Sequence, residues 1–454
     1  MPHHLWTPAT PTPAAERAAV LATAYLARPG ADTPVLLLDR DGLRSQLTRW
    51  HRHLPAVPPY YAVKANIDPL VLRELFAAGA NADVASAFEI DVCRAVGLGG
   101  ERMILSNPRK DRDTIRAMKA AGVWATAVDS EEEVDKLTAE GIPSAGYQPV
   151  LFVRVKVPTK GVTQDLSSKF GVRVLPKGTD PFARPLPSPD MTAVRAILEH
   201  ARAAGFRRFG LSTHVGTQCN NPAVYATAVQ VCGAVATALG GSGVEVGWID
   251  LGGGFADGRT LAANGTTADA LLDGVAAAVA GWSGPPVKFL AEPGRHLVAD
   301  SGLLVSRVTY DRDTDATGRR VQIDDGIYRT LSGRVHDDRT YQFAALRVCG
   351  RPFMTAHCRM VVWGCSCDSF DKVADDVPLP ADLSVGDLLL ADTLGAYSTS
   401  FGSNTNGFQP APPVLWWDDA GATRFEPSPM GEQNAVLLAY LRRRLAPSAN
   451  QETA

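Results

Sequence analysis

The chain has 454 residues, long enough for two or three domains or one large enzyme. Its composition is that of a soluble globular protein, 45% hydrophobic and 20% charged, and a formal net charge of −3 offers no electrostatic case for nucleic acid or an anionic membrane. Seven scattered cysteines make no disulfide framework and suit a reducing cytoplasm, and no apolar run reaches the roughly 18 residues of a membrane span.

The N-terminus, "MPHHLWTPATPTPAAERAAVLATAYLA", does not read as a signal peptide, because Arg17 interrupts any apolar core and prolines crowd its start. It reads as a loose tail and a short Ala-rich helix, about 14–27, within an N-terminal segment 1–33. From 34 to 300, short β-rich runs alternate with helical patterns. "PVLLLD" comes first, then "YYAVKA", "ADVAS", "RMILSN", "WATAVDS", "VLFVRVKV", "RFGLSTHVG", "EVGWIDLGGG" and "PVKFLAEPGR", with helical stretches between them. That alternation implies a parallel sheet with crossover helices. About eight units over so long a stretch fit a (β/α)8 barrel better than an open sheet. The first run, 34–39, is also a candidate for the second domain. A Pro-rich stretch, "LPKGTDPFARPLPSPD" (175–190), reads as a surface insertion. From 301 to 445 the pattern is strands and loops without long helices, an all-β domain of sandwich or barrel type. The tail 446–454 reads as disordered.

In a barrel, reactive groups sit at the C-terminal ends of strands. Lys64 follows "YYAV", Arg154 lies near the end of "LFVRV", and His214 ends "FGLSTH". Gly252, Gly253 and Gly254 follow "WIDL", and Glu292, Gly294 and Arg295 follow "VKFLA". Each has a plain alternative: a solvated strand end for the lysine, a simple turn for the glycines, a half-buried structural histidine, a surface ion pair in "EPGR". Their convergence on one opening points elsewhere. A desolvated lysine has a lowered pKa and attacks carbonyls. Glycines at a helix start let backbone N–H groups wrap a phosphate. Lysine, glycine turn, ring, carboxylate and arginine together meet the needs of pyridoxal 5'-phosphate (PLP).

Six segments in order, "YYAVKAN", "HVGTQC", "DLGGGF", "EPGR", "WGCSCDSFD" and "GAYSTSFGSNTNGF", resemble the fold-type III PLP decarboxylases over roughly residues 34–412. This is the alanine-racemase-like barrel family that includes ornithine, lysine, arginine and diaminopimelate decarboxylases. The resemblance implies a PLP-binding (β/α)8 barrel with a C-terminal all-β domain, and a homodimer with shared active sites. It implies Lys64 as the Schiff-base lysine and His214 against the cofactor ring. Thr217, Gly253, Gly254, Gly294, Arg295 and Tyr397 would hold the phosphate. Glu292 would pair with the pyridine nitrogen, Arg154 would lie near the ring and its phenolic oxygen, and Asp83 near the cofactor. A glutamate at that nitrogen favours decarboxylation, since a racemase of this fold is expected to carry arginine there. "CDSFD" would come from the other subunit, with Cys367 protonating the Cα carbanion and Asp368 and Asp371 near the substrate's distal group. The other reading of Cys365 and Cys367, a zinc pair, has no accompanying Cys/His set.

Aspartate after the cysteine resembles the ornithine and lysine enzymes, whereas diaminopimelate decarboxylases are expected to carry glutamate. In "DDGIYRTLSGRVHDD", Asp337 falls where a second acid is expected, and two carboxylates favour a cationic side chain. Arg329, Arg334 and Arg339 crowd the same segment and could instead meet a substrate carboxylate. The expectation is therefore a PLP-dependent decarboxylase of a basic L-amino acid. A diaminopimelate-type or other specialised decarboxylase, a racemase or epimerase, and a non-catalytic regulator are the alternatives.

Overall fold

The computed structural model describes residues 3–8, 13–164, 168–312 and 319–429, so the 446–454 tail and the end of the expected β-domain lie outside the described residues. The first sheet has nine strands, eight of which run parallel in one path: Tyr60–Ala62, Asn81–Val84, Met103–Leu105, Ala125–Val128, Val150–Lys156, Phe209–Ser212, Val246–Asp250 and Lys288–Leu290; the ninth, Val172–Arg173, pairs with Val150–Lys156 off that path. Its two edges meet. Tyr60 N donates to Ala291 O at 2.8 Å, Ala62 N donates to Pro293 O at 3.2 Å, and Pro59 bridges Ala291 in parallel. The sheet is thus closed into a barrel, as the alternation implies.

Helices return the chain between strands, and their starts are written in the sequence. Asp68 accepts from Leu70 N at 2.9 Å ahead of Pro69, at the start of helix Pro69–Ala77. Asp111 accepts from Thr114 N at 2.7 Å and caps helix Arg112–Ala121. These side chains satisfy donors that a helix start leaves unpaired, and proline fits the first turn, where no N–H is needed.

The second sheet has ten strands. Gly302–Arg312 is its spine, pairing with Leu388–Ala391, Arg319–Ile323 and Val35–Asp39. Val35–Asp39 also runs parallel to Pro413–Asp419. The first β-rich run of the sequence therefore belongs to this sheet and not to the barrel. Alternation along it explains why: Leu36 and Leu38 pack into the core shared with the barrel, whereas Val35 and Leu37 pack with Ala19 and Ala22 of helix Pro13–Leu26. Within the described part of the N-terminal segment there is a strand where the sequence suggests a loose tail. His4–Trp6 is a strand, antiparallel to Ala344–Arg347. Residues 175–190 carry no helix or strand, in keeping with an insertion on the barrel's outside. Among the described residues no helix is long and apolar enough to cross a membrane.

Barrel and second sheet are stitched together at Gly302 and Gly395. Leu394 N donates to Gly302 O, and Gly395 N donates to Ala299 O, both at 3.0 Å. A Cβ on Gly395 would lie 1.9 Å from Val298 O. This crossing delivers Tyr397, whose N donates to Ala65 O at 2.8 Å, and Asn66, whose Nδ2 donates to Gly395 O at 2.9 Å. A Gly395→Ala substitution must therefore push the two backbones apart. It should cost about 1–3 kcal/mol, measured as a lowered urea midpoint.

Candidate active site

Lys64 sits on a 3-10 turn, Val63–Ala65, directly after the first barrel strand. It lines a cavity with His214, Thr217, Gly253, Gly254, Glu292, Gly294, Arg295 and Tyr397, all of them expected from the sequence. Asp83 and Arg154, also expected there, stand just behind. Asp83 Oδ2 is 4.0 Å from Lys64 Nζ, and Arg154 acts electrostatically on both His214 and Glu292.

The lysine's side chain is 47% accessible, but into the barrel mouth. Burial pulls its proton affinity down. The charges of Asp83, Tyr397, Glu292 and Glu89 outweigh that pull, and its pKa is raised above the usual lysine value. The lowered pKa expected from the sequence is therefore not what the assembled site produces, because desolvation is only one of the opposing effects.

Burial acts on the acids as well. It pushes Asp83 up to about 7, helped by Glu292 and opposed by Lys64 and by the Ser106 hydroxyl, which donates to Asp83 Oδ1 at 2.5 Å. Glu292 is held well above the usual carboxylate range by burial and by Asp250, with which it shares a hydrogen bond. Asp250 is likewise pushed by burial up to about 7, while accepting from Gly252 N at 2.9 Å. Two buried carboxyls joined in this way hold one proton between them. Asp250 was not picked out in the sequence, although it opens the "DLGGGF" segment. Gln218 was missed too: it lines the cavity, held by Asp257 through its Nε2 at 2.8 Å and its Oε1 at 2.9 Å.

His214 is neutral. Burial, then Arg154 and Lys64, press its pKa well below the usual value. Its Nδ1 accepts from Gly216 N at 3.1 Å, which puts the ring proton on Nε2. The glycine turn is close-packed against this histidine segment. A Cβ on Gly253 would come 3.0 Å from His214 Nε2, and one on Gly254 would come 2.1 Å from Gly216 O. Arg295 is nearly buried, with its guanidinium 4.6 Å from the Tyr397 ring centre. Tyr397 itself has φ +53°, a conformation an aromatic residue seldom adopts and one that clusters at working sites.

This set fits pyridoxal 5'-phosphate on its own chemistry. A lysine amine faces an open cavity, and a carboxyl that retains a proton lies across from it. Small residues, a threonine and an arginine stand where an anion would be held.

The "CDSFD" residues are elsewhere. Cys367 and Asp368 are exposed and do not line the Lys64 cavity. Asp368 accepts from Tyr328 Oη at 2.6 Å and from Phe370 N at 2.9 Å, which together hold its carboxyl below the usual range. Cys367 Sγ lies 3.6 Å from Asn406 Oδ1, and Cys365 Sγ 3.6 Å from Arg329, so the two thiols face different neighbours. Asp371 departs from its expected place at the substrate. It is buried and accepts from Ile327 N at 2.9 Å and Ser366 N at 3.0 Å, pinning two loops together. Asp337, expected near the substrate's distal group, has its carboxylate ion-paired with Arg295 of the cavity. Of the three crowding arginines, Arg329 is spent on Gln409 O and Asp324 O, Arg339 on Asp257 at 3.3 Å, and Arg334 on Asp338 at 3.0 Å.

Residues 40–299 match the family described as pyridoxal-dependent decarboxylase, pyridoxal binding domain. The chain belongs to the PLP-dependent decarboxylases, and pyridoxal 5'-phosphate is its cofactor. It is 31% identical to the chloroplastic ornithine decarboxylase of Nicotiana glauca over 396 residues, covering 83% of this chain and 82% of that one. It is 29% identical to the lysine/ornithine decarboxylase of Selenomonas ruminantium over 390 residues, covering 85% and 90%. The crystal structure of lysine/ornithine decarboxylase complexed with putrescine from Vibrio vulnificus superposes with a TM-score of 0.72 at 28% identity, covering 87% of this chain and 97% of that one.

Asp250 yields a signed prediction. Its folded pKa of about 7 exceeds the ordinary value of about 3.9. Its burial thus penalises the folded state progressively as pH rises between those values, and no further above them. Urea denaturation of Asp250→Asn should show stability gained relative to the parent chain from about pH 4 to 7 and a constant difference beyond. A pH-independent difference would contradict the buried pair.

Proposed function

We propose that the protein removes the α-carboxyl group of a basic L-amino acid, acting as a homodimer whose two sites each draw residues from both copies. The observation that carries the decarboxylase chemistry is Glu292, a buried carboxyl that keeps its proton opposite Lys64. When bound, pyridoxal 5'-phosphate supplies an aldehyde for amines and a ring that accepts the electron pair released as CO2 leaves.

The chain's residues divide the remaining work. Lys64 presents the amine, and Asp83 beside it is the nearest base for that amine's proton. Glu292 holds a proton at the ring nitrogen and so deepens the electron sink, with Asp250 behind it. Arg295, the Thr217 hydroxyl and the backbone of Gly253 and Gly254 bind phosphate, and Tyr397 closes that end. The neutral His214 ring covers one face without adding charge, and Arg154 compensates the acids. Binding that holds the scissile bond perpendicular to the ring directs cleavage to the carboxylate.

Cys367, as the proton donor to Cα, and Asp368, as partner of the distal cation, come from a second copy. Their exposure outside the cavity of their own chain supports this. So do the exposed Phe370, Phe401 and Phe408, which would be covered in a dimer. A basic substrate is supported by the relatives' names and by the arginines. Arg329 and Arg339 are committed to internal partners, which leaves acids to meet the distal group. Cys93, Cys219, Cys232, Cys358, Cys365 and Cys367 are free thiols, in keeping with action in the cytoplasm.

The test is a mass-spectrometric assay in D2O with ornithine, lysine, arginine and meso-diaminopimelate offered separately. The expected result is loss of CO2 from a basic amino acid with one deuterium at the former Cα. Deuterium uptake with the carboxylate retained would mean racemase chemistry. Turnover of diaminopimelate alone would overturn the assignment of the distal acids.

A further inference from the structure

Arg295 lines the cavity and is nearly buried, and the ion pair it makes is with Asp337. The acid cannot drift off with its backbone. It ends the short helix Gly333–His336, and its N–H is bonded to Gly333 O at 3.0 Å. Gln164 Nε2 donates to His336 O at 2.7 Å, and the His336 ring packs edge-on at 4.9 Å against Phe401. Arg339, two residues on, is tied to Asp257 at 3.3 Å and to Thr393 O at 2.9 Å. The segment is pinned on both sides, so only the Asp337 side chain is free to change partner.

A cofactor phosphate at Arg295 and the Asp337 carboxylate are both anions that need the same guanidinium, and in so dry a place they repel each other. We propose that Asp337 competes with the cofactor's phosphate for Arg295, so that docking of the phosphate displaces the Asp337 carboxylate and frees it to meet a cation. This rests on the cofactor reading above and gives Asp337 a task beyond a distal contact. It acts as a gatekeeper that weakens binding of the phosphorylated cofactor and couples phosphate arrival to release of an acid. Binding linked in this way is reciprocal.

The experiment titrates the full-length protein with pyridoxal 5'-phosphate and, separately, with pyridoxal, which lacks the competing anion. Bound ligand is followed by its visible absorption, for the parent chain, Asp337→Asn, Asp337→Glu and Asp338→Asn. Asp337→Asn should tighten pyridoxal 5'-phosphate binding about tenfold, a typical size for coupled sites, and leave pyridoxal unchanged. Asp337→Glu, which keeps the charge, should stay near the parent ratio. So should Asp338→Asn, whose exposed carboxylate pairs with Arg334 and not with Arg295. An unchanged or weakened affinity ratio in Asp337→Asn would overturn the proposal, because the acid would then be supporting Arg295 and not competing for it. A parent chain that binds neither ligand would sink the cofactor reading itself, a result distinct from a failure of the competition.

Discussion

The site depends on the seam that closes the barrel. Two backbone hydrogen bonds, Tyr60 N to Ala291 O and Ala62 N to Pro293 O, lock the first strand beside the last. Lys64 follows one strand and Glu292, Gly294 and Arg295 follow the other. The seam therefore brings an amine, an acid and a guanidinium from residues over two hundred positions apart into one opening. Gly294 fits there because Ala62 and Ala65 are small: a Cβ on it would come 3.2 Å and 3.1 Å from theirs.

Closure also sets the electrostatics. Asp83, Asp250 and Glu292 are buried behind the mouth that Lys64 faces, with Arg154 acting on Asp250 and Glu292. Burial raises the proton affinity of these acids, and the negative charge they carry when ionised, that of Asp83 first, raises the proton affinity of the lysine. A neutral histidine follows from burial, and so does a glutamate basic enough to keep a proton at the ring nitrogen, which is what an electron-accepting ring requires. The second sheet contributes through a narrow crossing at Gly302 and Gly395, which threads Tyr397 into the barrel mouth and leaves Cys367 and Asp368 on the outside.

The barrel was legible because parallel strands buried on both faces read as short apolar runs between helical patterns. The same physics made Val35–Asp39 ambiguous, since a strand buried on both sides looks alike in either sheet. Lys64, His214, the glycines, Glu292 and Arg295 stood out because each is a chemical residue at a strand end. Asp250 did not, since one aspartate closing a strand carries no mark of the neighbour it will share a proton with. Asp371 and Asp337 show the same limit from the other side. An acid in a polar loop can cap backbone N–H groups, pair with an arginine or face a ligand, and only the fold decides which. The direction of the Lys64 shift was likewise beyond reach, because it is a balance struck by residues from distant strands.

The central claim is that Lys64 and Cys367 work in one site while belonging to different copies. Mixing purified Lys64→Ala with Cys367→Ala, under conditions that let subunits exchange, tests it directly. Each variant alone should be nearly inactive. In the mixed dimers that form, one of the two sites draws both intact residues, so decarboxylation should return to about a quarter of the parent rate. No recovery after demonstrated exchange would contradict the account and place both residues in a site built from a single chain.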